Sequence, residues 1–168
     1  MNAIIETPKG SPNTYLYDPI AGTMGLEGHL EVSMVYPADF GVVGNTLDVN
    51  GDLLRVVVLT EFPTFPSCRI DVKILGVCRV MEEGGERPRL LAVPLYDGRW
   101  ASATDLSSVP AQDLDRIAHF FGAYRDLDDG RRSAFLGWEG PTEARDLLAA
   151  ARARFDAAAG SSARADGR

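Results

Sequence analysis

Asn50-Gly51-Asp52-Leu53-Leu54-Arg55 runs directly into Val56-Val57-Val58-Leu59-Thr60, so a polar glycine loop feeds a β-branched apolar run. The run reads as a buried strand, and the glycine before it marks the turn that aims the strand. The loop holds one acid, Asp52, and one base, Arg55, and carries no net charge. Charged residues at the mouth of an apolar strand are candidates for chemistry.

Outward from this point the chain is punctuated by short apolar segments. Towards the N-terminus, residues 3–6 form a short strand closed by Thr7-Pro8-Lys9-Gly10, and 15–17 form another, closed by Asp18-Pro19. Residues 30–35 alternate loosely and read as a third strand, followed by a loop punctuated by Gly41, Gly44 and Gly51. Towards the C-terminus, a rigid connector, Glu61-Phe62-Pro63-Thr64-Phe65-Pro66, leads to the longest strand at 69–80. Gly76 there is the place for a bulge. Residues 90–94 give one more strand. Beyond Val109 the period changes. Pro110 opens a helix over 110–125 with Leu114, Ile117, Ala118 and Phe121 on one face. A strand at 133–138 follows, and Gly140-Pro141 opens a second helix with Leu147, Leu148, Ala151 and Phe155 on one face. The expectation is an α+β fold, a curled sheet or small barrel with two helices against it. It comprises a single domain over residues 1–159 and a disordered tail over 160–168.

Composition narrows the function. The 168 residues suit one domain with a proper core, and a net charge of −7 disfavours nucleic acid or an anionic membrane as partner. No apolar run approaches a membrane span and no signal pattern opens the chain, so a cytoplasmic location is expected. Cys68 and Cys78, with only two histidines in the chain, are expected as buried reduced thiols rather than metal ligands. The Ala- and Arg-rich C-terminal stretches suggest a GC-rich bacterial source.

Several stretches, in order, carry a resemblance that spans nearly the whole expected domain. They are Ile5-Glu6-Thr7-Pro8-Lys9-Gly10, Tyr36-Pro37-Ala38-Asp39-Phe40-Gly41, the Asn50–Arg55 loop and Pro63-Thr64-Phe65-Pro66. Gly84-Gly85-Glu86, Leu91-Ala92-Val93-Pro94, His119-Phe120-Phe121 and Tyr124-Arg125-Asp126-Leu127 complete the set. Together they resemble the soluble family I inorganic pyrophosphatases. The resemblance implies a five-stranded OB-like β-barrel with flanking helices, and a homo-oligomer, often a hexamer. It also implies a loop of pattern D-G-D-x-x-D whose carboxylates bind divalent cations.

Against that pattern the loop reads Asn50, Asp52 and Arg55, and Arg87 stands where another metal-binding Asp belongs. Arg cannot deprotonate, and exchanging a carboxylate about 4 Å from a divalent cation for a guanidinium costs several kcal/mol of affinity. Leu16 replaces an acid, Phe40 a Tyr, Thr14 a Lys and Gly28 an Arg, which points to a more apolar, roomier pocket. Arg89 and Arg125 replace lysines. The expectation is therefore a dismantled metal site and no cofactor, with Asp52 and Glu82 as residual metal candidates. The protein is expected to be a repurposed, metal-independent enzyme of specialised metabolism. Its substrate would be a small organic anion, transformed by cyclisation, isomerisation or elimination. Asp52 and Glu6 would act as bases and Tyr36 and Tyr124 as donors, with Arg55, Arg87, Arg89, Arg125, Leu16, Phe40 and Asn50 around the ligand. Two alternatives stand beside it. One is a non-catalytic pseudoenzyme whose Arg55 and Arg87 seal the old site by pairing with Asp52, Glu82 or Glu86. The other is a residual Mg²⁺-dependent diphosphatase.

Overall fold

The computed structural model describes the backbone of residues 1–165 and the side chains of residues 1–160. Its frame is built from β1 (Asn2–Thr7), β4 (Asp39–Val43), β5 (Arg55–Val58), β8 (Arg89–Pro94) and β6 (Arg69–Glu82). These pair in that order, and β6 pairs back onto β1, so five strands close on themselves. This is the closed five-stranded OB-like barrel that the sequence resemblance implies. All pairs around it are antiparallel except β5 with β8. The remaining strands lie outside the ring. β2 (Asn13–Asp18) and β3 (Thr23–His29) form a separate hairpin, while β7 (Gly85–Glu86) and β9 (Ser133–Glu139) pair with β6.

The apolar run that opened the sequence reading splits by strand alternation. Val56 and Val58 of β5, with Leu90 and Ala92 of β8, join one core that includes Ala144, Leu148 and Ala151 of helix α2 (Pro141–Ala165). Val57, with Leu91 and Val93, joins the other, where Ile117, Phe120 and Phe121 of helix α1 (Ala111–Ala123) pack. A strand buried on both faces loses its polar side, which is why this stretch reads as continuous Val and Leu. α1 starts at Ala111, with Pro110 in the preceding N-cap position and no side-chain cap hydrogen bond, and β6 carries its register break between Ile74 and Gly76.

Two sequence expectations for strands are corrected. Residues 30–35 form no strand; the hairpin strand ends earlier, at His29, and Leu30 and Met34 are pinned into the core from a loop. The strand at β4 stood in a segment read as a glycine loop. Gly41 is there because β1 comes too close for any side chain: a Cβ on it would lie 2.0 Å from the Ile4 carbonyl oxygen. α2 continues to Ala165 and so enters the stretch expected as a tail, while residues 166–168 lie outside the described residues. Both cysteines are free, Cys78 buried and Cys68 half-buried. Among the described residues no helix is long and apolar enough to cross a membrane.

Candidate active site

Side chains from the ends of β1, β5, β6 and β8, the C-terminal end of α1 and the β2–β3 hairpin surround one cleft of about 1140 Å³. The hairpin is held over it partly by side chains of β1. Glu6 Oε1 accepts the Tyr17 N–H at 2.8 Å, and Thr7 Oγ1 accepts the Tyr15 N–H at 3.2 Å.

At the cleft floor Arg55 pairs with the second oxygen of Glu6, a carboxylate only 1% exposed. Burial pushes the Glu6 carboxyl above its ordinary range, with Arg55 and the Tyr17 N–H opposing. Beside it Arg89 pairs with Glu82, and the Tyr124 hydroxyl donates to the same Glu82 oxygen. That hydroxyl also accepts from Arg89 Nη2 at 3.2 Å and Arg125 Nε at 2.9 Å. Burial alone would raise Glu82, but Arg89, Tyr124 and Arg125 outweigh it and hold the carboxyl below its ordinary value. Burial pushes the Tyr124 and Tyr36 hydroxyls up, so both stay protonated donors. Arg89 lies over the Phe121 ring at 4.4 Å, and Phe40 lies near both Arg55 and Arg89 at 5.8 and 5.9 Å. The planar Arg89 guanidinium is thereby shielded from water by aromatic faces, while Arg55 stays partly exposed. Arg89 Nε is buried and has no hydrogen-bond partner among the described residues.

On the rim, Arg87 Nη1 donates to Asp52 Oδ2 at 2.7 Å and to Asp48 Oδ2 at 3.1 Å. Asp48 escaped the sequence reading. Its other oxygen accepts the N–H groups of Asn50 and Asp52 at 2.7 and 3.0 Å, closing the loop around Gly51. The readable signal was an Asp two residues before Asn-Gly, a pattern that forms such side-chain turns.

Of the expected site residues, Glu6, Tyr36, Phe40, Asp52, Arg55, Glu82, Arg87, Arg89, Tyr124 and Arg125 meet in the cleft. Leu16 and Asn50 do not line it. Leu16 is half exposed on the hairpin, and Asn50 sits on the exposed turn. The sealing reading anticipated the Arg87–Asp52 pair, but Arg55 turns to Glu6 instead. Nor is the cleft apolar and cationic. Nine carboxylates (Glu6, Glu27, Glu31, Asp48, Asp52, Glu82, Glu83, Asp128, Asp129) face five arginines, leaving minus four. Among the described residues no three of His, Cys, Asp or Glu gather into a ready metal cluster. The arrangement nearest to one is the Asp48–Asp52 pair, whose Oδ2 atoms converge on a single positive nitrogen.

A closed five-stranded barrel therefore carries an acid-rich, arginine-studded cleft at its strand ends, a setting suited to charged ligands. The inorganic pyrophosphatase family matches residues 3–156, and the chain belongs to that family. An inorganic pyrophosphatase of Geobacillus stearothermophilus is 38% identical over 93% of this chain and 94% of its own. One from Halalkalibacterium halodurans is 40% identical over 92% and 94%. An inorganic pyrophosphatase structure from Coxiella burnetii superposes with a TM-score of 0.89, at 34% identity over 92% of this chain and 94% of that one.

These relationships overturn the functional expectation. The repurposed metal-independent enzyme with an organic ligand, its pseudoenzyme alternative and the lost metal site conflict with relatives named inorganic pyrophosphatase along nearly the whole chain. The expected absence of a cofactor falls with them, because it rested on a dismantled site, and the resemblance that implies divalent cations is now a family membership. The physical reason lies in counting charges along one loop. The site's charge is set by the whole rim, where Asp48, Glu27, Glu83 and the 128–129 pair restore the acidity that Asn50 and Arg55 remove.

Proposed function

We propose that the protein hydrolyses inorganic diphosphate to two phosphates with the help of a divalent cation of the Mg²⁺ type. The observation that carries this reading is the relation to inorganic pyrophosphatases over more than nine-tenths of the chain. The cleft's chemistry supports it. A lining of net charge minus four repels a naked polyanion and favours one that arrives with cations. Mg²⁺ is commonly held by one or two carboxylates together with substrate oxygens and waters. Asp48 and Asp52 fit that requirement, since their Oδ2 atoms already converge on a positive atom, and they would hold the cation. When bound, such a cation neutralises charge on the diphosphate and makes water a better nucleophile.

The chain's own groups do the rest. Arg55, Arg89 and Arg125, which line the cleft, bind phosphate oxygens and fix the substrate. Glu6 positions Arg55, Glu82 positions Arg89 and Tyr124, and Phe40 and Phe121 exclude water from the floor. Tyr36 and Tyr124 stay protonated, and Tyr124 is the one whose hydroxyl joins the arginine network. The water oxygen bonds to one phosphorus, the bridging P–O bond breaks, and the second phosphate leaves. Asp52, whose Oδ1 takes no hydrogen bond among the described residues, receives the water's proton. A cytoplasmic homo-oligomer, hexameric by family resemblance and with one domain over residues 1–159, belongs to the same reading.

The test is phosphate release from diphosphate with Mg²⁺ and with Mn²⁺. Two phosphates per diphosphate, abolished by a chelator, are expected. No release above the uncatalysed reaction overturns the reading.

A further inference from the structure

The loop that carries Asp52 is tied to helix α2, on the far side of the chain. Leu47 gives both of its backbone groups to that helix. Its N–H donates to the Ala151 carbonyl at 2.9 Å, and its carbonyl accepts from Arg154 Nη1 at 3.3 Å. Ala151 is fully buried against the barrel together with Ala144 and Leu148, so this stretch of the helix is packed in place.

The Leu47 carbonyl and the Asp48 N–H belong to one planar peptide unit, so what holds one end orients the other. Arg154 holds the oxygen end. The nitrogen end donates to the Asp52 carbonyl at 2.7 Å, and the Asp52 N–H returns to Asp48 Oδ1 at 3.0 Å. Both backbone groups of Asp52 are therefore set by Asp48, and the Asp48 peptide is set from α2. The other flank of the loop is held by Thr46, which is fully buried. Its hydroxyl donates to the Val43 carbonyl at 2.6 Å and accepts the Leu54 N–H at 3.0 Å. The Asp52 side chain is 56% exposed and its ion pair with Arg87 lies largely in solvent, so its backbone does most to place it.

We propose that Arg154 is a positioning residue for Asp52. From α2 it fixes the Leu47–Asp48 peptide, and through that peptide it fixes the carboxylate that takes the proton of the attacking water. This deepens the diphosphatase reading and rests on it, because Asp52 is the proton acceptor of that reaction. Proton transfer is sensitive to placement, and a shift of about 1 Å costs on the order of a hundredfold in rate. Arg154 is one tie among several, so removing it is expected to cost about tenfold in kcat. Substrate binding rests on the arginines of the cleft floor and should not change.

The experiment is steady-state phosphate release from diphosphate with Mg²⁺ for the natural protein, Arg154→Met, Asp52→Asn and the double variant. Methionine keeps the length of the side chain and its helix preference but removes the donor. Arg154→Met should lose about tenfold in kcat with KM within about twofold of natural. On Asp52→Asn the same change should cost less than about twofold, because the group it positions is already gone. A folded Arg154→Met with natural kcat overturns the proposal, and so does a full tenfold further loss on Asp52→Asn. A second measurement needs no turnover. Amide hydrogen exchange at Asn50 and Asp52, whose N–H groups both rest on Asp48 Oδ1, should quicken about tenfold in Arg154→Met while β5 keeps its natural rates. Unchanged exchange at both amides overturns the proposal as well. The two readings fail separately. A protein that hydrolyses diphosphate while Arg154→Met keeps the natural kcat loses only the positioning role. An inert protein whose loop exchange quickens in Arg154→Met keeps the brace and loses the diphosphatase reading.

Discussion

Arg89 of β8 and Glu82 of β6 close an ion pair whose side chains are only 4% and 12% exposed, with the Tyr124 hydroxyl on the same carboxylate oxygen. Such a pair contributes little to stability if both members are exchanged together, but much is lost when one is removed alone. The Arg89→Met variant leaves Glu82 with Arg125 as its nearest remaining cation, bound through Tyr124. A loss of about 3 kcal/mol is expected from urea unfolding, near the lower end for breaking a buried pair. A loss below about 1 kcal/mol would mean that the pair behaves as a surface contact.

The same carboxylate gives stability a pH dependence with a definite sign. Burial raises Glu82, but Arg89, Tyr124 and Arg125 outweigh it, so the folded value lies below the ordinary 4.5. The unfolded chain therefore binds this proton more tightly. The stabilisation is complete above 4.5 and is lost as pH falls through the lower folded value. Glu6 has the opposite sign: burial raises it, so its contribution is present below the ordinary value and lost as pH rises through the folded one. Urea midpoints taken from about pH 6 to about pH 3 should fall less steeply in Glu82→Gln than in the natural protein. Identical slopes would contradict the assignment.

Glu6 is a positioning residue because its two oxygens are engaged by Arg55 and the Tyr17 N–H. Glu6→Gln keeps the shape and releases the Arg55 guanidinium from its anchor. The KM for diphosphate should rise about tenfold while kcat changes by less than about threefold, the pattern of binding lost equally from ground state and transition state. A collapse of kcat with KM unchanged would instead make Glu6 a proton-transfer group.

Gly41 tests the barrel closure. A Cβ at this position meets the Ile4 carbonyl at 2.0 Å and the Ile5 Cα at 2.8 Å, both backbone atoms that cannot swing aside. Gly41→Ala should cost more than about 4 kcal/mol, seen as loss of cooperative unfolding or of soluble protein. A fully folded variant would show that β1 and β4 can separate.

Gly41 also marks where sequence reading stops. The β5 run and the long β6 were legible because burial on both faces and alternation leave their mark in residue type, and α1 because Pro110 and its apolar period agree. β4 was not, because its glycine answers to a neighbour over thirty residues away and reads locally as a loop. The site divides in the same way. Arg55 and Arg87 stood out as cations beside acids, yet their partners are set by the closed barrel. Arg55 takes Glu6, 49 residues earlier, and Arg87 takes Asp48 as well as Asp52. Substitutions in one loop suggested a neutralised pocket, while the acidity of the cleft comes from three strands and several loops that only the fold assembles. Leu16 misled for a related reason, since its strand belongs to the hairpin and turns the side chain away from the cleft.

The most direct measurement compares steady-state phosphate release from diphosphate, with Mg²⁺ present, for the natural protein and for Asp52→Asn. The natural protein is expected to turn over and to yield two phosphates per diphosphate. Asp52→Asn should retain its fold and lose about a hundredfold or more in kcat, within the range for removing a general base. An inert natural protein, or an Asp52→Asn variant that hydrolyses diphosphate at the natural rate, would contradict the account.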